Sequence, residues 1–182
     1  MTENHLSTDI IEFLERPSTK NFLFAARKFV ELLETTNIIK KIFYLKTHTA
    51  LLDLYLAGHK LEQIELKYAV ERKGFKREVE FENKNANLIA KLGAKALYWD
   101  VFNPTQLEDN EAAIQGWLVD DFADIYRDLK VELIKIDNIG TDEAVEKALW
   151  RFKWGFTNHW GNHCISALRC FHYLNYDGKQ IV

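Results

Sequence analysis

Apolar residues recur at intervals of three and four along most of this chain, and that spacing constrains the fold more than any other feature. One face of an α-helix returns every 3.6 residues, so the pattern predicts amphipathic helices. Four long stripes show it, beginning at Phe22, Ile38, Leu118 and Val145. The chain has only 2 Pro and 8 Gly, too few for a fold with many tight turns. The sequence therefore predicts an all-α protein, a single-domain bundle of about five or six helices over residues 1–182.

Two residues mark the boundary between the last two stripes. Gly140 is typical of a left-handed helix end, and Thr141 is a good N-cap with acidic residues directly after it. The last stripe, from Val145 to Leu174, is predicted as one long helix. A break between Gly155 and Gly161 is the alternative, because glycine, asparagine and threonine cluster there. Such a break would undo the Asp/His geometry that one continuous helix predicts.

Charge is distributed unevenly along the chain, although its net value is only −3. Residues 60–95 hold nine basic side chains and six Glu, which favours a solvated helix or ordered loop over a phosphate-binding patch. The best period-2 candidate for a strand, residues 75–81, lies in the same segment. Residues 96–146 hold thirteen acids and three basic side chains. That excess serves solubility or marks a cation site, and the whole balance argues against a nucleic-acid partner.

No apolar run approaches the roughly 18 residues of a membrane span, and the first residues do not resemble a secretory leader. Cys164 and Cys170 lie in apolar surroundings and are predicted to be reduced thiols rather than a disulfide framework. We therefore expect a cytoplasmic protein without a membrane partner.

Carboxylates border the buried face of the third stripe. At about 100° per residue, Asp121 and Asp128 fall at the edge of that face, Asp124 lies further out, and Asp120 points nearly away. Charged groups in such half-buried positions need partners.

Histidines stand on the apolar face of the fourth stripe. His159 and His163 are four residues apart, so they stack on one side of a helix. An unpaired buried imidazole nitrogen costs about 1–3 kcal/mol, and carboxylates or a metal ion would both satisfy it. Two interpretations stay open: a structural Asp/His network, or a ligand or metal site formed by His159 and His163 with Asp121 and Asp124.

Other catalytic signatures are missing from the sequence. It contains no CxxC, HExxH, GxGxxG or GxxxxGK[ST] motif, and Ser166 is not preceded by the glycine-rich elbow of a serine hydrolase.

Four segments resemble an uncharacterised bacterial family, domain of unknown function 5063. They are LLDLYLAG (51–58), KALYWDVFNP (95–104), LVDDFADIYRDLKVEL (118–133) and FTNHWGNHCISALRCFHYL (156–174). The resemblance spans most of residues 20–175 and implies helical cytoplasmic proteins with no established activity. By motif position it singles out Trp99, Phe102, Pro104, Asp120, Asp121, Asp124, Tyr126, Arg127, Asp128, His159, Trp160, Gly161 and His163.

These observations leave three hypotheses for function. The first is a non-catalytic binding or interaction module without a cofactor, whose partner is another protein or a second copy. Its polar centre of Asp, His and Arg side chains is structural and joins the last two helices to the segment YWDVFNP (98–104). The second is a metal-dependent hydrolase of the helical-bundle kind, using His159, His163, Asp121 and Asp124 on a small phosphorylated or amide substrate. The third is an immunity or antitoxin-like partner protein with an acidic docking surface.

Overall fold

Helices account for 79% of the residues described by the structure, a computed structural model that covers residues 6–68, 88–101, 105 and 113–176. The first half of the chain forms α1 (Thr8–Glu15), α2 (Pro17–Glu34), α3 (Lys40–Lys60) and α4 (88–92). The second half forms α5 (Leu118–Ile134), a π-helical turn (Lys135–Ile139), α6 (Asp142–Asn158) and α7 (Trp160–Tyr176). The predicted helical fold is confirmed, with seven helices in the described residues where about five or six were predicted.

The fourth apolar stripe is two helices rather than one. His159 leaves helical geometry, with φ −147° and ψ −89°, and separates α6 from α7. The backbone stays hydrogen-bonded through the break, because His159 N donates to Gly155 O and Asn162 N donates to His159 O. The break brings Gly161 against the carbonyl oxygen of Phe156, where a Cβ would lie only 2.0 Å away, so this geometry requires glycine. Of the two predicted alternatives, the break is the one observed.

A small antiparallel sheet is the element that the periodicity did not predict. It pairs β1 (Leu97–Asp100) with β2 (Ile114–Trp117), with Leu97 opposite Trp117. Side chains alternate along a strand, and in β1 Tyr98 and Asp100 are the half-buried pair while Leu97 and Trp99 are exposed. The sheet therefore presents two polar side chains to the helices.

The main core lies where α2, α3, α5 and α7 meet. Its largest fully buried side chains are aromatic and come from all four helices and from α6, among them Phe22, Phe43, Tyr44, Phe122, Phe152, Trp160 and Phe171. α1 packs separately on α6, through Ile10 and Phe13 against Val145 and Leu149. α5 and α7 are thus fixed side by side, which positions their polar edges.

The boundary between the last two stripes is as predicted. Gly140 has φ +61°, a conformation that glycine adopts without strain. The Thr141 hydroxyl accepts a hydrogen bond from Ala144 N at 3.3 Å and so caps α6.

Some of the predicted features lie outside the described residues. These are the candidate strand 75–81, most of the charged segment 60–95, and Phe102 and Pro104. In the part of the chain that is described, no helix has both the length and the apolar character to cross a bilayer.

Candidate functional site

His163 and Asp121 form a partly buried polar contact between α7 and α5. A carboxylate only accepts, so His163 Nδ1–H donates to Asp121 Oδ1, at 2.8 Å. The other carboxylate oxygen of Asp121 accepts from the Tyr98 hydroxyl of β1 at 2.7 Å. Asp121 is 6% exposed, and its two oxygens each have a donor. A buried charge is tolerated here because both sides of it are satisfied.

His159 is held in the same manner by a second carboxylate. Its Nδ1–H donates to Asp128 Oδ2 at 2.7 Å. The break between α6 and α7 turns this ring toward α5, and it meets the His163 ring edge-on with centroids 5.0 Å apart. Each histidine thus has one nitrogen fixed by its own aspartate, which leaves Nε2 as the nitrogen available to a ligand.

Asp124 lies between the two carboxylates along α5 and faces the histidines. Its Oδ2 is 3.4 Å from His163 Nε2, and its Oδ1 accepts from Arg127 Nη2 at 2.7 Å. One donor atom each from Asp124, His159 and His163 lies within 4.8 Å of the other two. We call these three residues the Asp/His/His centre.

One of the three spacings in the Asp/His/His centre, between His163 and Asp124, matches the separation of two ligands on one ion. N–H···O hydrogen bonds have heavy-atom distances of about 2.7–3.2 Å, and the 3.4 Å between His163 Nε2 and Asp124 Oδ2 is longer. Tetrahedral metal–ligand bonds of about 2.1 Å place neighbouring donor atoms about 3.4 Å apart. The side chains are also accessible, with His159 43% and Asp124 22% exposed. Two imidazoles and one carboxylate with open positions form a donor set for Zn²⁺ or another first-row divalent metal.

Electrostatics at the centre favour positive charge. The hydrogen bond to Asp121 raises the pKa of His163, and the negative charges of Asp121, Asp124 and Asp120 act in the same direction while burial opposes them. Beside it, burial raises the pKa of Tyr98, and the charge of Asp121 adds to that effect. Tyr98 therefore stays protonated as a donor, and the same carboxylates that hold a proton on His163 would hold a metal cation.

Packing behind the centre fixes the break between α6 and α7. Trp160 is fully buried, and its Nε1–H donates to Phe152 O at 3.1 Å. A Cβ on Gly155 would lie 2.6 Å from Trp160 Cδ1 and 3.6 Å from Asp128 Oδ2, so only glycine lets the indole reach this position. The aromatic packing thereby orients the backbone that carries His159.

Six of the predicted polar residues come together at this edge of α5 and α7. They are Asp121, Asp124, Arg127, Asp128, His159 and His163.

Three predicted members lie elsewhere. The Tyr126 hydroxyl donates to Glu34 Oε1 of α2 at 2.6 Å, on another side of α5. Trp160 is in the apolar core, and Asp120 is exposed and acts on His163 only through its charge. Asp121, predicted as a possible metal ligand, has both oxygens engaged by Tyr98 and His163, so Asp124 is the better ligand.

The first hypothesis joined the polar centre to residues 98–104, but sequence reasoning did not identify the strand or its contact residues Tyr98 and Asp100. Tyr98 reaches Asp121, and Asp100 accepts from Ser166 of α7 at 2.8 Å and lies 3.9 Å from Arg169. The only signal was that Tyr98 and Asp100 are two residues apart, on one face of a strand too short to recognise.

Comparisons with known proteins agree with this architecture. The family model described as a domain of unknown function (DUF5063) matches residues 14–177. Among solved structures, protein BF1032 from Bacteroides fragilis is similar, with a TM-score of 0.75 at 23% identity over 93% of this chain and 99% of that one. At this identity the likeness shows the fold alone. No curated protein matches the chain.

Proposed function

The chain belongs to the family described as a domain of unknown function (DUF5063), and we propose that it is a metal-dependent hydrolase whose divalent ion binds at the Asp/His/His centre. Asp124, His159 and His163 are the ligands, and Asp121 and Asp128 orient the two imidazoles. Zn²⁺ is the ion that this donor set suits best, because two neutral imidazoles and one carboxylate are common zinc ligands.

The observation that carries the proposal is that both imidazoles are fixed at Nδ1 by separate carboxylates. Metal-binding histidines donate their second ring N–H to a carboxylate or carbonyl, which sets the tautomer and makes the ligating nitrogen more basic. Asp121 does this for His163 at 2.8 Å, and Asp128 does it for His159 at 2.7 Å. A structural role would be met by a single Asp–His hydrogen bond between α5 and α7. Here two separate Asp–His pairs lie side by side, and both histidines have a ring nitrogen near the carboxylate of Asp124.

Three protein ligands support hydrolysis because they leave a coordination position for water or substrate. Structural zinc sites are closed by four protein ligands, and catalytic sites keep one position open. Half-exposed side chains at the edge of α5 and α7 give solvent and a small substrate a path to that position.

A second candidate is the binding module without catalysis, with the Asp/His contacts as a structural link between α5 and α7. One observation favours it. A cavity of about 800 Å³ lies between α2 and α3, and Phe24, Leu45 and Leu56 on its wall are each at least half exposed. Apolar side chains grouped in this way fit the apolar face of a partner helix, from another protein or a second copy. Phe24→Glu is expected to abolish any concentration-dependent dimer measured by sedimentation equilibrium.

The cytoplasm is the compartment that we propose for the protein. The free thiols of Cys164 and Cys170 support this, because thiols persist in reducing compartments.

Metal binding is tested by titrating ZnCl₂ into protein that was treated with chelator and dialysed. We expect one ion per chain for the wild type, and at least a hundredfold weaker binding for His159→Gln and His163→Gln. Asp120→Asn is the matched control for Asp124→Asn, since both remove one charge from α5 but only Asp124 faces the histidines. Equal zinc affinity in all variants would contradict the proposal and leave the structural interpretation.

A further inference from the structure

Arg127 lies beside the Asp/His/His centre and is held there by two hydrogen bonds. Its Nε–H donates to Ala123 O at 3.1 Å, and its Nη2 donates to Asp124 Oδ1 at 2.7 Å. The side chain is 50% exposed. A guanidinium has five N–H groups, so three of them have no partner in the part of the chain that the structure describes.

Asp124 is shared between this guanidinium and the histidines. Oδ1 accepts from Arg127, while Oδ2 faces His163. Once an ion is bound at Oδ2, the ion and the Arg127 guanidinium are two positive groups on one carboxylate, and they repel each other. An anion that contacts both of them offsets this repulsion. Asp121 and Asp128 contact the Nδ1 side of the rings, where Asp121 is satisfied by Tyr98 and His163, and one oxygen of Asp128 by His159. The negative charges that remain near Nε2 are those of Asp124, which the ion and Arg127 offset, and of the exposed Asp120.

We propose that Arg127 and the bound ion together bind a phosphoryl group, so that the substrate is a small phosphate monoester. This inference rests on the proposed function. A phosphoryl group has three terminal oxygens, one for the ion and two for the guanidinium, whereas a carboxylate has only two oxygens in all. In the hydrolysis the oxygen of water bonds to phosphorus, the ester P–O bond breaks, and the leaving alcohol takes a proton from that water.

The test is calorimetric titration of inorganic phosphate into zinc-loaded protein from which unbound zinc was removed by gel filtration. Arg127→Gln is the variant, and Arg127→Lys keeps the charge without the planar fork. Lys130→Gln is the matched control, because it also removes one positive charge from α5, but Lys130 pairs with Glu34 rather than with Asp124. Zinc affinity is measured on every sample first.

We expect one phosphate per chain on the zinc-loaded wild type and on Lys130→Gln. Binding should be at least tenfold weaker in Arg127→Gln, which keeps its zinc, and intermediate in Arg127→Lys. Phosphate binding that is equal in Arg127→Gln, equal without zinc, or matched by acetate would overturn the inference. If zinc binds and phosphate does not, this inference alone fails, whereas absence of zinc binding to the wild type defeats the proposed function and this inference with it.

Discussion

Replacing Asp121 by asparagine removes the negative charge that holds the His163 ring and the Tyr98 hydroxyl. The Asp121 carboxylate is buried and accepts one hydrogen bond from His163 and one from Tyr98. An amide of the same size has one oxygen, so it accepts only one of these bonds and turns its NH₂ group toward the other donor. The Tyr98 hydroxyl can accept from that NH₂ group, but the bond to His163 loses its charge assistance, which lowers the free energy of unfolding by about 1–2 kcal/mol.

The same substitution weakens zinc binding, since His163 loses the carboxylate that orients it. Loss of such a partner typically lowers metal affinity by about 10–100-fold. Urea unfolding measures the first effect, and competition for zinc with a chromophoric chelator measures the second. Asp120→Asn is the control for both, because Asp120 is exposed. A stability loss with zinc affinity unchanged would refute the role that we assign to Asp121.

Three further predictions concern the same edge of the molecule. The pKa of His163 is raised in the fold, so in metal-free protein the protonated ring stabilises the fold below the unfolded pKa of about 6.5, and this stabilisation is lost as pH rises through the folded pKa. Urea unfolding at several pH values should show the free energy of unfolding falling over this range. His163→Gln should remove this dependence on pH. Gly58→Ala should destabilise by about 1–3 kcal/mol although alanine favours helix, because its Cβ would lie 2.5 Å from Trp160 Cη2, and a raised melting temperature would contradict this. Trp160→Phe should cost about 1–3 kcal/mol through the lost hydrogen bond to Phe152 O and the smaller ring, and an unchanged denaturant midpoint would show that the indole N–H matters little.

The helices could be predicted because the apolar face of each one appears as a local repeat of apolar residues in the sequence. The stripes beginning at Phe22, Ile38 and Leu118 correspond to α2, α3 and α5, and Gly140 with Thr141 placed the start of α6. The pairing of His159 and His163 was predicted from one continuous helix, and a break was expected to undo it. The observed break instead leaves both rings in contact with α5 carboxylates.

The break at His159 could not be assigned from spacing, because apolar periodicity continues across it. Its cause is tertiary: Trp160 packs against Gly155 and Gly58, and that fit decides where the helix ends. The sheet was missed for a related reason, since each strand has only four residues and its partner lies beyond a long intervening segment.

Tyr126 is a residue that the family motif assigned to the polar centre and that the structure places elsewhere. It is five positions from Asp121, about 140° around the helix, so the two side chains leave α5 in different directions. The family motif placed Tyr126 with the acids, whereas the structure directs its hydroxyl to Glu34.

X-ray absorption at the zinc edge of protein loaded with one equivalent of zinc tests the central claim most directly. We predict the scattering of two imidazole rings at about 2.0–2.1 Å together with oxygen ligands, and the loss of one ring in His159→Gln. A spectrum with oxygen neighbours alone, the same in wild type and variant, would contradict a metal centre at Asp124, His159 and His163.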